Sequence, residues 1–104
     1  MTARDDLFET RANLDFDAFE LMKKKNRDYA SAESPIANYI EAAHVAGCSP
    51  ARYIAGRMAE KIERLGNVLA RGSATGEGAI DELLDLQNFP GLIMFALRSN
   101  AGAR

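Results

Sequence analysis

Residues 49–72 read SPARYIAGRMAEKIERLGNVLARG, and this stretch decides the fold class. Ser49 followed by Pro50 is a helix cap followed by the one helical position where a missing backbone N–H costs nothing. Ile54, Met58, Ile62, Leu65 and Leu69 then return at three- and four-residue steps, the repeat of an apolar stripe on a helix, and Gly72 supplies the residue that tolerates a left-handed helix end. The side opposite the stripe carries Glu60 and Glu63, with Arg57, Lys61 and Arg64 beside them. One dry face and one charged face make an amphipathic helix.

The same grammar extends outward. Upstream, Ser34-Pro35 opens a shorter helix on Ile36, Tyr39, Ile40 and Ala43, and Gly47 closes it. Before that, about Asp5 to Lys25 carries Phe8, Ala12, Phe16, Phe19 and Met22 on one face with Leu7, Leu14 and Leu21 beside it, which predicts a long, wide-faced core helix. Lys23, Lys24 and Lys25 close it, where positive charge offsets the helix dipole. Downstream, Gly72 to Gly78 reads as a small polar loop, and a fourth helix carries Ile80, Leu83, Leu84 and Leu86 towards Leu97. Pro90 predicts a kink or break at Phe89, leaving Gly91 to Leu97 as a separate piece, apolar nearly all round and buried on several sides. In so small a chain the extra cover is expected from a second copy. Strand signals are absent, since valine and threonine are scarce and nothing alternates. The expected fold is all-α: a compact bundle of about four main helices forming one domain over 1–104, with a frayed tail at 99–104, assembled as a homo-oligomer.

Charge and composition remove several function classes. The 104 residues hold 13 basic and 15 acidic side chains. A net charge of -2 lacks the broad positive field that duplex nucleic acid requires, so no duplex partner is expected. Cys48 is the single cysteine, which excludes an internal disulfide and fits a reducing, cytoplasmic setting. Met1 to Asp6 shows no basic-then-apolar signal, and Leu92 to Leu97 is far too short to span a bilayer, so no membrane partner is expected.

The charged residues sort by helix. On the fourth, Glu77, Asp81 and Asp85 fall at i, i+4 and i+8, with Asn88 three further on, and Glu82 pairs with Asp85 as ExxD. Asp85 lies about 40° from Asp81 and about 60° from Glu82 round the helix, so it can cooperate with either. On the third, Glu60 and Glu63 form ExxE. Carboxylates for magnesium beside cations for phosphate are what a polyphosphate site needs. The same pattern also suits a plain solvated helix face, with Glu60 and Arg64 as an i, i+4 ion pair. The face bearing Asp81 and Asp85 runs on into Phe89, Leu92 and Ala96, however, and those three do not belong in water. His44 and Cys48 read as packing or surface residues, and Tyr29, Tyr39 and Tyr53, though able to stack on a base, read first as core.

Three motifs in order carry a resemblance. Lys25-Asn26-Arg27-Asp28-Tyr29-Ala30, then Glu60-Lys61-Ile62-Glu63-Arg64-Leu65, then Glu77 with Ile80-Asp81 and Leu84-Asp85-Leu86-Gln87-Asn88-Phe89, resemble the patterns KNxDYG, DKxxRL and ESxxDxxxDxxNY. These belong to the first type of nucleotide modification associated domain, found largely in phages and similar in turn to the all-α nucleoside triphosphate pyrophosphatases of the MazG and dimeric dUTPase kind. The resemblance covers about residues 19 to 97. Gly78 stands in place of Ser, Phe89 of Tyr and Glu60 of Asp, and Pro90-Gly91 follows the last motif at once.

The resemblance implies a magnesium-dependent hydrolase that cleaves nucleoside triphosphates between the α and β phosphates, tied to phage nucleotide metabolism or DNA base modification. Glu60 and Asp85 would be catalytic, and Mg2+ would be held among Glu60, Glu63, Glu77, Asp81, Glu82 and Asp85. Lys25, Asn26, Asp28, Tyr29, Arg57, Lys61, Arg64 and Asn88 would bind the nucleotide. The alternative is a non-catalytic phage sponge that captures a nucleotide or cyclic-nucleotide signal in counter-defence. A structural helical oligomer with wet charged faces is the third.

Overall fold

The computed structural model describes residues 2–29, 34–72 and 76–99 and consists of four helices: α1 (Ala3–Tyr29), α2 (Ala37–Ala46), α3 (Pro50–Arg71) and α4 (Glu77–Arg98). No strand occurs among the described residues. α3 and α4 form the central pair, α1 lies across α4, and α2 packs on α3. The bundle measures 46 × 28 × 23 Å, and its long dimension reflects α1, whose 27 residues extend about 40 Å.

The ends of α3 form as the sequence dictates. The Ser49 hydroxyl accepts the Arg52 N–H at 3.2 Å, Pro50 is the first helical residue, and Gly72 ends the helix at φ 70°. Gly47 closes α2 at φ 75° while the Cys48 N–H donates to the Ala43 carbonyl, so chain reversal between α2 and α3 takes only three residues.

Three expectations about where helices begin and end are corrected. α1 runs to Tyr29, so Lys23 to Lys25 lie inside the helix rather than at its end. Ser34-Pro35 does not cap α2. The Ser34 hydroxyl accepts the Ile36 N–H at 3.3 Å within a turn, and the helix begins at Ala37, because Ile36 is drawn wholly into the core. Pro90 does not break α4, which continues from Glu77 to Arg98. Proline forfeits one backbone hydrogen bond there, but Phe89 on one side and Ala96 on the other are both buried against neighbouring helices, and that packing holds the helix continuous through the proline.

The core is small: Ile36, Ala51, Ile54, Phe89 and Ala96, bordered by Tyr39, Ile40, Met58, Leu86, Leu92 and Ile93. Phe89 and Ala96 of the acidic face are thus covered within the chain itself, by α2, α3 and the turn before α2. Gly78 lets α4 approach α3 closely, since a Cβ there would stand 3.2 Å from Val68 Cγ1. Beyond this centre the apolar stripes run into solvent. Ile62 and Leu69 on α3, and Met94, Phe95 and Leu97 on α4, are exposed, so the end of α4 is not buried all round within one copy. α1 is not the wide-faced core helix its composition predicts, because Ala18 is its one buried residue among those described.

Candidate functional site

Lys25 near the end of α1, Lys61 in the middle of α3 and Asp85 in the middle of α4 meet at the crossing of the three helices. Lys25 Nζ donates to Asp85 Oδ1 at 2.7 Å, and Lys61 Nζ lies 3.0 Å from Asp85 Oδ2 and 3.5 Å from Glu82 Oε2. The Asp85 side chain is 15% exposed, so both its oxygens face ammonium groups in a partly dried setting. Burial is the largest single influence on this carboxyl and pushes its pKa up. The hydrogen bonds and charges of Lys25 and Lys61 together outweigh it, holding Asp85 below the ordinary 3.8. A depressed carboxyl pKa contributes stability that is present above the unfolded value and lost as pH falls through the folded one. Thermal melts between pH 7 and pH 2 are therefore expected to show wild type losing more stability below about pH 4 than Asp85→Asn does. Equal losses would contradict the pairing.

Above this cluster opens a cleft of about 510 Å³, within the range of small-ligand pockets. Its charged lining is Lys25, Arg57, Lys61 and Asp85; its aromatic lining is Tyr39, Tyr53 and Phe89. The Tyr39 and Tyr53 rings lie 6.4 Å apart at 53°, a tilted pair contributed by α2 and α3 on either side of the Gly47 turn. Burial pushes the Tyr39 phenol above 10.0, so it stays a neutral hydroxyl in ordinary buffers. Asn26 and Asn88 also line the cleft, but both amides serve as struts. Asn26 Nδ2 donates to the Pro35 carbonyl at 2.9 Å, and Asn88 Nδ2 to the Ala18 carbonyl at 2.7 Å, fixing α1 against the turn before α2 and against α4.

Of the residues singled out by sequence, the structure brings Lys25, Asn26, Arg57, Lys61, Asp85 and Asn88 to one opening, with Glu82 behind Lys61. It does not bring Glu60, Glu63, Arg64 or Asp81 there; all four are exposed. Glu60 pairs with Arg57 at 2.7 Å, not with Arg64 as its spacing predicts. The side chains of Asp28, Tyr29 and Glu77 lie outside the described residues.

Magnesium can be tested against the donors present. Among the described residues no three Asp, Glu, His or Cys side chains are grouped to share a cation. Two carboxylates are gathered: Glu82 and Asp85, one helical turn apart, both reach the single ammonium of Lys61. Such a pair fits magnesium, which is commonly held by one or two carboxylates with water and substrate phosphates completing its shell.

Sequence reasoning passed over Tyr39 and Tyr53, which read as core by spacing. Tyr39 does border the core, yet its ring also walls the cleft. Nothing in the spacing shows that two tyrosines on different helices share an opening. His44 is exposed and Cys48 half-buried, and neither lines the cleft. No helix among the described residues is long and apolar enough to cross a membrane. Compared with known proteins, the chain matches no family model, no curated protein and no solved structure.

Proposed function

We propose that the cleft binds a nucleotide, with Lys25, Arg57 and Lys61 receiving its phosphates and the Tyr39 and Tyr53 wall receiving its base. The observation that supports this most is the convergence of three cations from two helices with two tyrosines around one opening, where one partly buried carboxylate is the counter-ion of two of those cations. Charge-assisted hydrogen bonds from ammonium and guanidinium groups suit phosphate oxygens, and each base stacked on a ring is worth about 1–3 kcal/mol. In the absence of ligand, Asp85 acts as an internal anion: it keeps Lys25 and Lys61 in place, and an incoming phosphate competes with it. The reading agrees with the phage nucleotide-handling resemblance and, without chemistry, describes a sponge for a nucleotide or cyclic nucleotide.

The Glu82 and Asp85 pair supports a second reading, pyrophosphohydrolysis of a nucleoside triphosphate. These two residues would hold magnesium, which when bound supplies charge neutralisation of the phosphates and an activated water. Lys25, Arg57 and Lys61 would then orient the phosphate chain, and the tyrosine wall would fix the base.

Asp85→Asn separates the two. If the site sequesters, removing the internal competitor frees both lysines, and affinity for ATP in EDTA is expected to rise roughly 5-fold, the equivalent of about 1 kcal/mol of released ion pairing. ATP recovered afterwards is unchanged. If the site hydrolyses, wild type with magnesium returns AMP and pyrophosphate, and Asp85→Asn returns neither. Loss of ATP binding in EDTA by the variant, with its helical content intact, would contradict the internal-competitor account.

A further inference from the structure

The phenylalanines of α1 sit on the wrong side of the helix to pack within this chain. Leu14, Ala18 and Leu21 turn towards α4, whereas Phe8, Ala12, Phe16 and Phe19 form a stripe roughly 150° round the helix from them. Phe8, Phe16 and Phe19 are 61%, 64% and 57% exposed. A second apolar groove, of about 590 Å³ between Phe19 and Met22 of α1 and Leu92 and Phe95 of α4, opens beside the stripe and widens it.

We infer that this face is the seat of a second copy of the chain, its α1 packed antiparallel against the first across a two-fold axis. Area is the first argument. Three phenylalanines exposed to this degree leave on the order of 300–400 Å² of apolar surface in water on each copy. Paired, they remove roughly half of the ~1,600 Å² that a standard interface buries, with the polar flanks supplying the remainder. Charge is the second argument, and it selects the occupant. Along this same face the N-terminal end carries Asp5 and Glu9, and the C-terminal end carries Lys23 and Arg27. An antiparallel copy centred near the middle of the helix sets the acidic end of each against the basic end of the other, twice by symmetry. A parallel copy sets like against like. Small Ala12, between Phe8 and Phe16, leaves room for a ring of the facing helix. Lys23 now lies over the Phe19 ring, 4.9 Å from its centre, and pairs with Glu20 at 2.8 Å, both on the exposed surface, so it can turn to a new carboxylate at small cost.

The interface is independent of what fills the cleft, since Phe8, Phe16, Asp5 and Glu9 do not line it. Sedimentation velocity on the full chain tests it. Wild type is expected to sediment as a dimer or an even-numbered assembly at micromolar concentration. Phe16→Glu, at an exposed position where the far-ultraviolet spectrum is expected to stay unchanged, is expected to sediment with half that mass or as monomer. Register is tested by charge reversal. Asp5→Lys with Glu9→Lys in one chain, and Lys23→Glu with Arg27→Glu in another, should each dissociate alone and associate when mixed. A wild-type monomer, an assembly indifferent to Phe16→Glu, or a mixture no more associated than its parts would overturn the proposal.

Discussion

Replacing Lys61 with methionine is expected to weaken ATP binding roughly 10- to 100-fold, the loss of one charge-assisted contact worth about 1.5–3 kcal/mol. Lys61 is the cation most deeply set in the cleft, with an 18% exposed side chain, so its contacts are screened less than those of Arg57 or Lys25. The substitution acts twice. It removes a donor to phosphate, and it strips Glu82 Oε2, which has no hydrogen-bond partner among the described residues, of the Lys61 ammonium 3.5 Å away. Two carboxylates then face the incoming phosphates with only Lys25 and the more exposed Arg57 among the cleft's cations to offset them. Isothermal titration on folded protein checks this, with Lys61→Arg keeping most of the affinity and Arg64→Met, exposed on α3 away from the cleft, keeping all of it. Equal affinities for Lys61→Met and wild type would remove the phosphate subsite from its assigned place.

Ile54→Ala is the second large effect, and it falls on stability. Ile54 is fully buried at the centre of a core with four other buried members. Deleting a buried aliphatic side chain to alanine costs about 2–5 kcal/mol, the spread depending on how far the site collapses. Neighbours here cannot close the gap easily, because Ile36 is held by the turn at Ser34-Pro35 and Phe89 by an unbroken α4. Against a total of about 5–15 kcal/mol for a domain, this leaves a marginal protein. Urea unfolding followed by circular dichroism should show a large fall in midpoint. Ile62→Ala, on the same stripe but 54% exposed, should shift it far less. Similar shifts for the two would mean that the stripe is buried along its whole length, in an assembly other than the one inferred from α1.

Much of the architecture was legible because its signals are local. Ser49-Pro50 and Gly72 bracket α3, Gly47 ends α2, and three- and four-residue apolar steps identify every helix. The errors came where tertiary packing overrides local chemistry. Pro90 reads as a kink or break, but the burial of Phe89 and Ala96 holds the helix continuous through it. Ser34-Pro35 has the same letters as Ser49-Pro50, yet Ile36 is pulled into the core and the turn forms instead of the cap. On α1 the leucines read as lying beside the phenylalanines in one wide face, whereas Leu14 and Leu21 fall roughly 150° round the helix from them, and composition does not say which set meets α4.

The site divides in the same way. Lys61, Asp85 and Arg57 could be found because carboxylates and cations at helical spacing announce a charged face. That Lys25 reaches Asp85 across sixty positions of sequence, and that Tyr39 and Tyr53 wall the same opening, depends on how α1 crosses α4 and how sharply α2 turns into α3. No spacing within one helix encodes those angles.

The central claim, that the cleft takes a nucleotide, is tested most directly by thermal shift of the wild-type chain against common nucleotides and cyclic dinucleotides, in magnesium and in EDTA, with each ligand recovered by chromatography. The account predicts a saturable rise in melting temperature with at least one of them, persisting in EDTA and sharply reduced in Lys61→Met. No shift with any nucleotide, or a shift that Lys61→Met leaves unchanged, would contradict it.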